Sequence, residues 1–339
     1  MKKRPRIGTA LLLGGGFILA LLLPAFPAES AVPQTDLSWA SRIKPSHPRI
    51  YITEQTWPIV RERALGSHAE DYARVKALAL TREGDDWLKI KRPPPLAGSG
   101  IEVYDWGVRV FAQAFVYRME PSPGLLADIV RRLKASIAYY HAAYAQGKEA
   151  AWYSLSRAGC FTALDWLWND LAPGERGEIG AGLLAHVHET LHKPNILYKN
   201  DGGIIDGNYG VNNVAWFAGL ALYGEGIDDK TAREALQKGY ETYQRMFEHR
   251  AAAAGDDGGG ASATLGYLLG EYPNADWNFL HTWRSALGED IAGEFPYAYG
   301  ALLPGYILWN WLPGDREFGY GDTPHLTNDL SRSALFGHM

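Results

Sequence analysis

A disulfide framework is excluded at the outset, because the 339 residues contain a single cysteine, Cys160. The same scarcity removes any cysteine-rich metal centre. Positive charge is in short supply as well: 33 basic residues stand against 38 acidic ones, the net charge is −5, and no basic stripe runs along the chain. Nucleic acid is therefore not an expected partner. Beyond residue 23 no apolar run approaches the length of a membrane span. Period-two alternation bounded by turn residues is scarce, which argues against a sheet protein. There is no strict internal repeat and no composition shift that would divide residues 31–339 into two domains. What the chain does have is aromatic mass, with 12 Trp and 19 Tyr. Such rings serve a large core, and they also stack on sugar faces in carbohydrate clefts.

The first thirty residues read as an address. Lys2, Lys3, Arg4 and Arg6 form a basic start, Ala10 to Leu23 is apolar around three glycines, and Pro24 ends the run. Ala28-Glu29-Ser30 offers small residues for cleavage before Ala31, the pattern of a secretory signal peptide. The mature protein is expected to be periplasmic or secreted, with cleavage near Ser30-Ala31 and no membrane contact beyond this segment. A retained N-terminal anchor is the alternative, for which the apolar run is short.

The remainder reads as helix after helix. Gly124 to Gln146 carries Leu125, Leu126, Ile129, Val130, Leu133, Ile137 and Tyr140, the three-four spacing of one buried face. Lys230 to His249 repeats the pattern with Ala232, Leu236, Tyr240, Tyr243 and Phe247, behind Asp228 and Asp229 at a helix start. Ile101 to Arg118, Ala151 to Leu171 and Glu175 to His192 look similar. About ten helices with short connections predict an all-α chain of antiparallel helix hairpins.

Four segments, in order, resemble the heparinase II/III-like polysaccharide lyases, a superfamily that includes alginate lyases. Residues 47–64, HPRIYITEQTWPIVRERA, resemble the opening of that family's helical domain. Residues 163–179, ALDWLWNDLAPGERGEI, are similar to its recurrent helix hairpin. Residues 207–223, GNYGVNNVAWFAGLALY, resemble the helix opened by a catalytic Asn. Residues 257–287 resemble an Asp-Gly stretch with a downstream Tyr and a long amphipathic helix. The resemblance spans most of residues 45–325. It implies an incomplete α/α toroid, a ring of helix hairpins around a groove, and the cleavage of uronic-acid polymers by β-elimination. Family members continue into a β-sandwich after the toroid. These 339 residues are accordingly expected to be a toroid-only member or a fragment.

Elimination from a 4-linked uronate removes the C5 proton and expels the C4 oxygen. The carboxylate must be neutralised so that the enolate-like intermediate is tolerable, and a base and an acid are needed. The resemblance assigns a carboxylate-holding Asn and a Tyr as base, acid or both, with no metal or other cofactor required. Asn208 is the candidate clamp. It follows Gly207 at a predicted helix start, where free N–H groups favour anions; the same position suits an ordinary N-cap. Many relatives have His beside this Asn, whereas this chain has Tyr209. Asn212 and Asn213 follow about one turn on, to line the groove or to satisfy buried backbone. Tyr267 is the candidate base, ten positions after Asp257; Tyr272 is the alternative if a small insertion is allowed. A free Tyr titrates near pH 10, so a base Tyr needs a cationic neighbour. His281 and Arg284 on the next helix could supply that charge, and Trp106 and Trp152 are candidates for stacking on sugars. An acidic polysaccharide or oligosaccharide is the expected partner. Lys193, Lys199, Arg245 and Arg284 are the charges available to meet it.

Three other readings compete. His188-Glu189-Thr190-Leu191-His192 fits H-E-x-x-H, which on a helix sets two His on one face as zinc ligands with Glu as base. The match falls in the last turn of its helix before Lys193-Pro194, the longer metzincin pattern is broken by Asn195, and no third ligand is evident beyond Glu225 in Gly-Glu-Gly. A toroid glycosidase would use paired carboxylates drawn from Asp105, Asp165, Asp256 and Asp257. A non-catalytic carbohydrate-binding domain is the third.

Overall fold

The computed structural model describes residues 36–80, 106–146, 155–192, 213–259, 272–309, 311–312 and 316–317. By its internal contacts the chain divides into Met1–Thr35, which lies outside the described residues, and Asp36–Met339. The fold is all-α. Ten α-helices are described: α1 (Trp57–Leu65), α2 (Ala69–Leu80), α3 (Gly107–Met119), α4 (Pro123–Ala145), α5 (Leu155–Leu167), α6 (Pro173–His192), α7 (Val214–Leu222), α8 (Asp229–Ala254), α9 (Tyr272–Leu287) and α10 (Leu303–Trp309). Short 3-10 turns cover Ser38–Arg42 and Tyr297–Leu302. The described strands are β1 (Trp311–Leu312) and β2 (Arg316–Glu317), a two-residue antiparallel pairing.

Local chemistry sets the helix ends. Pro58, Pro123 and Pro173 stand in the first turns of α1, α4 and α6, where a missing N–H costs nothing. Asn213 caps α7 by accepting from Trp216 N, and Asp228 caps α8 by accepting from Thr231 N. Gly255, at φ 57°, takes the turn out of α8 that other residues resist.

The helices form two rows. Helix α3 lies along α5, and α5 along α7, while α4 contacts α6 and α6 contacts α8. The rows are joined through α3–α4, α5–α6 and α7–α8. Sequence separates the rows. All nine residues of α7 are buried, as suits a helix apolar all round. Helices α4, α6 and α8 are amphipathic and keep exposed charges on one face. Glycines let neighbours approach closely. A Cβ at Gly107 of α3 would fall 1.9 Å from Ser156 O, and one at Gly239 of α8 would fall 2.4 Å from Trp216 N of α7.

Much of the aromatic mass is core. Trp216 is fully buried, stacks 6.3 Å from Trp283, and donates its indole N–H to Thr282 Oγ1 at 2.7 Å. Trp39, Tyr240, Tyr243, Phe247 and Phe279 complete this cluster between α7, α8 and α9. A strap over residues 47–52 crosses the helix ends and is pinned to α5 by Asp165. That carboxylate is fully buried and accepts from His47 Nδ1 at 2.7 Å, Arg49 N at 2.9 and 3.0 Å, and Ile50 N at 2.8 Å. The Arg49 guanidinium then caps α7, donating to the carbonyls of Leu220 and Tyr223, and pairs with Glu225. Burial pushes the Glu225 carboxyl up, but the hydrogen bond from His47 and the charge of Arg49 hold it below its ordinary value.

Candidate functional site

Polar groups converge where the start of α7, the second half of α8 and the start of α9 meet. Asn213 is 1% exposed and donates to Gly239 O, in the middle of α8, at 2.7 Å. Arg250, near the end of α8, pairs with Asp276 in the second turn of α9. Tyr299, from the 3-10 turn, donates to the other Asp276 oxygen at 2.5 Å. The Tyr51 hydroxyl donates to Asn278 Oδ1 at 2.5 Å. Tyr51 holds φ at 61°, a backbone conformation uncommon for a bulky residue and characteristic of sites where surroundings over-determine the chain. Tyr243 is buried in the same neighbourhood, close enough to sense Tyr51 and Asp276.

Burial dominates the electrostatics there. It pushes Asp276 above its ordinary value despite the attraction of Arg250, and it raises the phenols of Tyr51, Tyr243 and Tyr299. Every described Tyr whose titration is shifted is shifted upward, so none of those is prepared as a base. The network Arg250–Asp276–Tyr299 is charge-balanced and holds α8, α9 and the following turn together; its chemistry is positioning.

The predicted residues fall as follows. Asn208, Tyr209, Asn212, Tyr267 and Trp152 lie outside the described residues, as do Lys193 and Lys199. Tyr272 opens α9, and its side chain also lies outside what is described. Of the two roles expected for Asn213, lining the groove or satisfying buried backbone, the structure shows the second: its oxygen accepts from Trp216 N and its nitrogen donates to Gly239 O. Trp106 belongs to a different neighbourhood, at the start of α3. The Arg132 guanidinium sits 4.1 Å over its ring and that of Arg109 at 5.5 Å, which occupies it as a cation–π partner. His281 stacks on Trp277, with centroids 4.9 Å apart, and Arg284 is exposed in an ion pair with Asp290. Arg245 is exposed.

Sequence reasoning missed Tyr51, Arg250, Asp276 and the buried Arg109, Arg132 and Arg157. One signal was available for Arg132: it shares the face of α4 that carries Ile129, Leu133 and Ser136, a charge at a core position.

The residues of the competing motifs are placed as follows. Within H-E-x-x-H the His pair and the Glu serve different neighbours. His188 and His192 face Glu234 of α8, with His192 Nε2 2.9 Å from that carboxylate. Glu189 instead meets His141 of α4. Glu234 thus stands where a third ligand would, but Glu189, the group a zincin needs as base at that metal, is held by His141 instead. Glu225 is engaged with His47 and Arg49. Asp165 is consumed by the strap, Asp257 closes a turn by accepting from Gly259 N at 2.9 Å, and Asp105 lies outside the described residues. A shallow groove of about 430 Å³ beside α1, lined by Glu54, Trp57, Arg61, Glu62, Leu65 and Arg118, is open to solvent and belongs to neither cluster. Among the described residues no helix is long and apolar enough to cross a membrane. No protein-family model matches the chain, and no curated protein matches it either.

Proposed function

We propose that the protein is an exported lyase that cleaves an acidic, uronate-containing polysaccharide by β-elimination on an α/α-toroid scaffold. Asn208 holds the uronate carboxylate; Tyr267, entering as the phenolate, takes the C5 proton as the C4–O bond breaks and the C4=C5 bond forms, and passes that proton to the departing O4. The observation that carries this reading is the order of the four lyase-like segments along one chain. The two-row array of helix hairpins supports it, since such a ladder is the repeating unit of a toroid.

The test is ultraviolet absorbance during incubation with alginate, heparan-type, chondroitin-type and other uronate polymers. Elimination makes a conjugated C4=C5 double bond and hydrolysis does not. A rise in absorbance that is lost in Tyr267→Phe, with the helical circular dichroism intact, is the expected result. A flat trace with new reducing ends would replace the lyase reading by a glycosidase. Turnover unchanged in Tyr267→Phe would remove that residue from the mechanism.

A further inference from the structure

The Glu of the H-E-x-x-H motif takes part in a second cluster that the lyase chemistry does not use. We propose that His141, His186 and Glu189 form a binding site for a divalent cation of the zinc class, joining the ends of α4 and α6.

Distances carry the argument. His141 Nδ1 lies 3.1 Å from Glu189 Oε2, and His186 Nδ1 lies 3.6 Å from the same oxygen. Two ligand atoms of a tetrahedral zinc, each about 2.0–2.1 Å from the metal, stand roughly 3.3 Å apart. The two observed edges bracket that spacing, and the ligand atoms of all three residues lie within 4.8 Å of one another.

Tautomer logic points the same way. His141 Nε2 is 3.0 Å from Gly182 O, so it must be the N–H donor there. In the neutral ring this leaves a lone pair on Nδ1 aimed at the Glu189 carboxylate, two acceptors in contact. A positive species between them, proton or metal, turns that repulsion into attraction. A ligating His whose other nitrogen donates to a backbone carbonyl is the usual outer-shell arrangement of a metal site.

The surroundings fit a cation. His186 is 1% exposed and its ring stacks on Tyr140 at 5.2 Å, which fixes its orientation. His141 and Glu189 sit in the closing turns of α4 and α6, where helix carbonyls favour positive charge. Arg157 opposes a cation, and the Glu189 carboxylate offsets it. Two imidazoles and one carboxylate suit zinc among the divalent ions, and partial exposure of His141 and Glu189 leaves a fourth position for water.

The experiment titrates zinc into the untagged, metal-stripped full chain by calorimetry, and cobalt by visible absorption, beside a thermal melt with and without zinc. Expected are one tight equivalent of zinc, tetrahedral cobalt bands, and a melting temperature raised by zinc. Glu189→Gln and His141→Asn, both at partly exposed positions, should weaken binding by at least about 100-fold, the upper end of what loss of an outer-shell partner costs. His192→Gln should leave it intact. Binding lost in His192→Gln but kept in Glu189→Gln would overturn the proposal in favour of the exposed His188–His192–Glu234 cluster. No binding, with a zinc-insensitive melt, would overturn it. Neither result bears on Tyr267, so this proposal and the lyase reading fail separately.

Discussion

Replacing Asp165 by Asn changes almost nothing in shape and removes the centre of the strap. Asp165 Oδ1 accepts from His47 Nδ1 and Arg49 N, and Oδ2 accepts from Arg49 N and Ile50 N. An amide keeps only one oxygen. Whichever way it turns, its NH2 group confronts N–H donors inside a site with no solvent access. Each hydrogen bond to a charged group is worth about 1.5–3 kcal/mol, and breaking one side of a buried charged pair costs about 3–5 kcal/mol. The volume is unchanged, so no cavity term adds to this. We expect a loss of about 3–5 kcal/mol, which at roughly 2–4 °C per kcal/mol lowers Tm by about 6–20 °C. The assay is a thermal melt followed by far-ultraviolet circular dichroism and by Trp fluorescence, whose agreement tests two-state behaviour. A Tm within about 2 °C of the wild type would refute the reasoning, because a fall of less than about 1 kcal/mol is incompatible with a lost charged hub.

Two further substitutions test other parts of the fold. The Glu225 carboxyl lies below its ordinary value of 4.5, so its contribution is present above that pH and lost as pH falls through the lowered folded value. Glu225→Gln should therefore lower stability at neutral pH and flatten the pH dependence of Tm across the acid limb; an acid limb identical to that of the wild type would count against the His47–Glu225–Arg49 contact. Gly239→Ala gains helix propensity but drives a methyl into the backbone of Trp216, so it should destabilise by about 1–3 kcal/mol by overpacking. A rise in Tm would mean that α7 and α8 separate without cost.

Helix content was legible because it rests on periodicity. The expected Gly124–Gln146 and the observed Pro123–Ala145 differ by one residue at each end, and Asp228 caps α8 where its acids suggested a start. Lys230–His249 fell short at the far end, because Arg250 to Ala254 lacks the large apolar residues that mark a face, although its alanines favour helix. Roles were less legible than elements. An Asn before an apolar run reads equally as a clamp or a cap, and only its partners, Gly239 O and Trp216 N, decide for Asn213. Trp106 has the side chain of a sugar platform, but Arg132, 26 positions away, faces its ring. The H-E-x-x-H spacing fixes which residues share a helix, while helices α4 and α8 determine that Glu189 and the His pair look in different directions. Nothing in residues 47–52 alone reveals Asp165, because the strap and α5 are more than a hundred positions apart.

The strap also carries a consequence for the order of folding. It reaches α5 and α7, and at its far side Ser285 of α9 donates to Arg49 O at 2.6 Å while Lys44 donates to Ser285 O at 2.8 Å. Some of the first described residues are thus held by one of the last helices, across 241 positions of sequence. Contacts that distant cannot form until the intervening chain exists, and closing so long a loop is slow compared with pairing adjacent hairpins. During synthesis the hairpins can assemble in turn while the strap waits for α9. The strap's docking then joins an early segment to a later one, so closure of this part of the fold waits for α9.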